Sequence, residues 1–256
     1  MRKYGFLLGM CIDLLVYANQ EIDLPQQEII MVSLGSHCQS SIILRRLGLR
    51  QCAMPLDWLL SFDHKGLIRL IDDDFQHMLD ADHLTQYPEG YVVNRLYNLE
   101  FRHDWHKHNL LQELPDILSK YRRRIHRFFQ LPAIAKRVVF IRTIFDPKLN
   151  VSNNMPTYTP ASTFIDVHQA RELHACLKNK FPDLKFVLAI INFANTSSGI
   201  PDDAHGIVEF KVKHLVKDAD QFLYLLGDPN YFDRLYTHNH VEKHHNKHQN
   251  FHANSI

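Results

Sequence analysis

Cys38 stands where sulfur chemistry is favoured. It follows the apolar run Ile29-Ile30-Met31-Val32-Ser33-Leu34, the turn residue Gly35, and then Ser36 and His37. Ile43, Leu44 and Leu47 recur at helical spacing and Gly48 follows them, so a helix should open near Ser36 or His37. A thiol in a first helical turn faces N–H groups that have no intrahelical partner, and the positive end of the dipole. That setting favours thiolate and predicts Cys38 as a nucleophile with an unusually acidic thiol. The N–H groups of Ser36, His37 and Gln39 would then hold an oxyanion. A small buried hydrophobe is the competing reading of any free cysteine.

Two other constellations compete with the thiol. Ser36 directly behind the first strand, with Asp202 and His205 at DxxH spacing, has the makings of a serine esterase of the SGNH kind. Its alternative is a plain helix N-cap. Arg123, Arg124 and Arg127 on one helix side, with Arg142 on the following strand, are candidates for gripping an anion and suit a non-catalytic binding module. Surface arginines paired with nearby carboxylates are the commoner case. His103, His106 and His108 lie close together but lack further ligands at metal spacing, so no resident metal and no cofactor is expected.

The elements that must position these residues alternate strand and helix. Apolar runs at 137–142 and 186–191 read as strands buried on both faces, and Ile207–Val212 as a further strand. Helices are predicted from Leu67 to Leu79, from about Pro115 to Phe129, before Phe181, and at Gln221–Leu226, with a hairpin or extended excursion between Tyr91 and Phe101. The order predicts a three-layer α/β domain, a mostly parallel sheet with helices on both faces, with a papain-like α+β arrangement as the alternative. This body is expected over 31–230 as a single domain, with a long loop at 150–163. Residues 1–30 read as an extension or a signal segment cut after Ala18, so the compartment is cytoplasmic or secreted accordingly. Residues 231–256 read as a mobile tail whose clustered histidines pick up metal adventitiously.

Composition limits the partners. Lys and Arg total 29 against 28 Asp and Glu, a net charge of +1, so the chain is no general binder of nucleic acid. The 9 glycines form neither GxGxxG nor GxxxxGK, which excludes the usual phosphate cradles, and the 4 cysteines show no CxxC spacing. The apolar N-terminal run is too short to span a bilayer comfortably.

Val32-Ser33-Leu34-Gly35-Ser36-His37-Cys38, Leu44-Arg45-Arg46-Leu47-Gly48-Leu49-Arg50 and Pro55-Leu56-Asp57-Trp58-Leu59 resemble the opening pattern of a bacterial family of unknown function grouped with papain-like cysteine peptidases. Phe101-Arg102-His103-Asp104-Trp105 resembles its histidine–aspartate motif, and 121–128 and 139–142 its arginine-rich helix and following strand. The resemblance implies a thiol hydrolase acting on a peptide or small acyl substrate, with Cys38 as nucleophile and His103 as base. Asp57 and Asp104 both qualify as the carboxylate that orients the imidazole. Side chains of His103 and Asp104 should point to opposite faces if they share an extended segment, which favours Asp57.

Overall fold

The computed structural model describes residues 26–61, 63–88, 90–105, 110–143, 165–193, 199–200, 206–212 and 223–236. The expected N-terminal segment to Pro25, the loop at 150–163, Asp202, His205, His106, His108 and the histidines of the tail lie outside these residues.

Four strands, β1 (Gln27–Ser33), β6 (Ala135–Thr143), β7 (Phe186–Phe193) and β8 (Ile207–Val212), form an all-parallel sheet in the order β1-β6-β7-β8. Period-two alternation splits their side chains between two cores. Ile30, Val32, Val138, Phe140, Leu188 and Ile190 face one core, while Met31, Val139, Ile141, Val187, Ala189 and Ile191 face the other. Helix α1 (Gln39–Arg46) covers the second face through Ile43 and Leu44, together with helical segments at 223–226 and 229–236 that bury Leu223, Leu226 and Phe232. The first face is covered by α2 (His64–Asp72), α3 (Leu110–Phe129), the short α4 (Leu131–Ile134) and α5 (Val167–Lys180). Helices on both faces of a parallel sheet are the α/β arrangement expected, and they select it over the α+β alternative.

A second sheet was only partly anticipated. β2 (Leu59–Leu60), β3 (Leu84–Gln86), β4 (Val92–Asn94) and β5 (Leu99–Phe101) pair antiparallel in the order β2-β5-β4-β3. Only the β4–β5 hairpin carries an aromatic and β-branched signal; β2 and β3 are too short to show a period.

Three boundaries differ from expectation. The helix predicted to Leu79 stops at Asp72, because Asp74 and Phe75 adopt left-handed φ values of 61° and 62° and the Phe75 N–H closes back on the Leu70 carbonyl. α3 begins at Leu110, so Pro115 lies inside it and not in its first turn. β1 begins at Gln27, its polar start secured where Glu28 pairs with Lys136 and Arg137, and Asp233 of the helical segment at 229–236 also pairs with Arg137.

Candidate active site

The chain leaves β1 at the carboxyl edge of the parallel sheet, the edge where ligands bind in α/β folds. Gly35 and Ser36 both take left-handed conformations, with φ of 75° and 76°. Gly35 is obligatory there, since a Cβ would meet Ser61 Oγ at 2.5 Å. Ser36 offsets its strained backbone, a cost on the order of 1 kcal/mol, through two bonds to one partner. Its N–H donates to Ser61 Oγ at 2.9 Å and its carbonyl accepts the Ser61 N–H at 3.1 Å. Arg142, 2% exposed, completes this bridge by donating to Leu34 O at 2.8 Å, to Ser61 Oγ at 2.7 Å and to Ser61 O.

Cys38 is the N-cap of α1, half-buried and free. Its backbone is helical, φ −70° and ψ −8°, so the side chain does not fold back over the first-turn N–H groups as an extended cap would. The thiol is therefore not acidified: burial pushes it above its ordinary value, opposed by its own backbone N–H. This corrects the expectation from the helix terminus, and the reason is that desolvation of the charged form outweighs the terminal amides. Ser36 is corrected as an oxyanion donor too, because its N–H is already given to Ser61. His37 is buried, and Gln39 is half-buried with its Oε1 lacking a hydrogen bond.

The two carboxylates expected to orient His103 are committed elsewhere. Asp57, 2% exposed, accepts from Ser41 Oγ at 2.9 Å, from Arg50 at 2.9 and 2.6 Å, and from the Met54 N–H at 2.9 Å. Asp104, 5% exposed, accepts from Tyr121 Oη at 2.7 Å and from Lys120. Asp57 accepts one of these bonds on Oδ1 and three on Oδ2, so it ties α1 to the loop before β2. His103 is exposed and Asp104 buried, but both lie in a bend after β5 and not on the extended segment that the alternation argument assumed. The His103 ring stands edge-on to Trp58, with centroids 6.1 Å apart. Arg50 and Arg45 lie over the same indole at 5.4 and 5.8 Å. Ser41, Asp57, Trp58 and His103 thus form a chain of contacts from the first turns of α1 to the imidazole. Among the described residues, no hydrogen bond joins His103 to Cys38, Asp57 or Asp104.

Of the proposed anion-binding arginines, Arg123, Arg124 and Arg127 lie along α3 and Arg142 lies on β6. Arg123 donates to Ser119 Oγ at 2.9 Å, Arg124 lies 5.0 Å from the Tyr121 ring, and Arg127 donates to the Ala53 carbonyl at 3.2 Å, all from α3. Arg142 is sealed in the bridge at the sheet edge, where burial pulls its guanidinium down to about 9. Sequence reasoning missed that bridge. It also missed a group formed by His77, Asp80 and His83, whose regular spacing of three was the available signal.

Among the described residues no helix is long and apolar enough to cross a membrane. No solved structure matches the chain at a significant level. A protein of Acanthamoeba polyphaga mimivirus, "Uncharacterized protein R408", is 27% identical over 195 residues, 67% of this chain and 82% of the viral protein. That relative is viral, so it lends nothing to the bacterial origin suggested by the motifs. A family model covers residues 29–196, and the chain accordingly belongs to the family described as "Putative papain-like cysteine peptidase (DUF1796)".

Proposed function

We propose that the protein is a thiol-dependent hydrolase that cleaves an amide or ester through an acyl-enzyme on Cys38. The observation that carries this reading is the position of Cys38: the cap of α1, at the carboxyl edge of a parallel sheet, half-buried but not sealed. Family membership supports the same chemistry. Because burial holds Cys38 as a thiol, its proton must leave during attack, so the base acts in the transition state and not beforehand. His103 is the base of this proposal. Its exposed ring, in contact with Trp58 next to the Asp57 that binds Ser41 of α1, supports that role.

In the proposed reaction Sγ bonds to the acyl carbonyl carbon while His103 takes the thiol proton. The N–H groups at the start of α1, from Cys38 and Gln39, hold the oxyanion. The imidazolium then protonates the departing amine or alcohol as its bond to carbon breaks. Water, deprotonated by His103, cleaves the thioester and restores the thiol. Trp58 orients the imidazole in place of a carboxylate.

Reaction with p-nitrophenyl acetate followed by peptide mapping tests this. An acetyl group on Cys38 whose formation falls about 10²- to 10⁴-fold in His103→Ala is the expected result. Acetylation spread evenly over the cysteines, or indifferent to His103, overturns it.

A further inference from the structure

We propose that His77, Asp80 and His83 form a binding site for a divalent transition metal of the zinc type. The turn that follows α2 and the 3₁₀ segment Ala81–His83 bring one donor atom of each residue to within 4.8 Å of the others. His77 Nδ1 and Asp80 Oδ2 are 3.5 Å apart, and the two imidazoles meet edge-to-face at 5.5 Å between centroids. Tetrahedral zinc, with bonds of about 2.0–2.1 Å, requires donors roughly 3.3 Å apart, so small side-chain rotations close the site.

Its surroundings are built to hold this shape. The His77 carbonyl accepts Asn94 Nδ2 at 2.8 Å and the His83 carbonyl accepts the Arg95 N–H at 2.9 Å, so β4 and its end fix both histidine backbones. Asp80 divides its oxygens. Oδ1 accepts the Asp82 N–H at 3.1 Å as the cap of the 3₁₀ segment, which leaves Oδ2 facing His77. Asp73, fixed by Tyr97 Oη, keeps Oδ1 buried and without a hydrogen bond, a carboxylate suited to accept the second ring N–H of a ligating histidine. Two imidazoles and one carboxylate suit zinc, cobalt or nickel over calcium or magnesium, and leave a fourth position for water. The site sits beyond the C-terminal end of α2, whereas the bridge to Ser61 and Arg142 is near its N-terminal end. A metal there would staple the second sheet to α2 independently of Cys38.

The tail is rich in histidine, so the test compares full-length chains that all carry it. Zinc titration should remove one bound ion per chain, or weaken it at least about tenfold, in His77→Ala and His83→Ala relative to the wild type. The variants should melt like the wild type in EDTA but lose its upward Tm shift with zinc. Should a variant fail to fold, histidine hydrogen–deuterium exchange of the wild type answers the same question, with zinc slowing exchange at His77 and His83. Equal stoichiometry and equal Tm shifts in wild type and variants, or zinc protection confined to the tail histidines, overturns the proposal.

Discussion

Asp57 and Cys38 both meet the first turns of α1 and differ most in how many partners they have. Asp57 is a buried carboxylate that accepts four hydrogen bonds, two of them from Nε and Nη2 of Arg50. Cys38 has no described side-chain partner beyond its own amide. A saturated polar group is part of the frame, because moving it breaks several bonds at once. An unsaturated, reachable one is free to bond to something that comes and goes. The difference teaches that Asp57 holds the loop, while the Cys38 thiol is left without such ties, as the proposed nucleophile requires.

The sharpest way to break this contrast is to remove each group. Cys38→Ala should abolish acyl transfer and leave the stability within about 0.5 kcal/mol of wild type in chemical denaturation, as for a tolerated small substitution. Asp57→Ala should cost about 3 kcal/mol in the same measurement, since it leaves the Met54 N–H and the Ser41 hydroxyl without their acceptor and strands the half-buried Arg50 guanidinium. Comparable stability losses in both variants would erase the distinction. A smaller effect is expected at Ser61, where Ser61→Ala leaves the Ser36 N–H without its acceptor and removes one of the three acceptors of Arg142, and should cost about 1–3 kcal/mol.

Two pH experiments sharpen the comparison further. Iodoacetamide labelling of Cys38 in the free protein should have its midpoint above 9.0, the ordinary value, because burial raises the thiol. A midpoint below that value would restore a preformed thiolate. The weakest effect belongs to His64, 8% exposed, whose imidazole is lowered by burial and by the Arg142 charge, against Glu172 and Asp166. The unfolded chain therefore binds this proton at a higher pH than the folded chain. Stability should fall as pH drops below about 6.5, the unfolded value, until the folded imidazole itself protonates. That component of the acid slope should disappear in His64→Gln, as followed by urea denaturation.

Much of this was legible in the chain itself. Period-two and fully apolar runs located β1, β6, β7 and β8, and helical spacing located α1 and α5, because burial imposes those periods on any sequence that forms a parallel sheet. The β1–α1 junction pointed to Cys38. Legibility failed where structure depends on partners remote in sequence. β2 holds only two residues and exists because β5, far along the chain, pairs with it through Phe101 and Glu100. The break after Asp72 follows from two non-glycine residues adopting left-handed conformations, which no local propensity favours.

The sequence by itself determined the layers, the sheet-edge placement of Cys38 and the family. Tertiary structure alone decided the electrostatics: Asp57 and Asp104 were spoken for by Arg50, Ser41, Lys120 and Tyr121, the thiol was raised and not lowered, and His77, Asp80 and His83 converged. The physical reason is that periodicity records which side of an element is buried, whereas the ionisation and reach of a side chain depend on the dielectric and on partners that only the folded chain supplies.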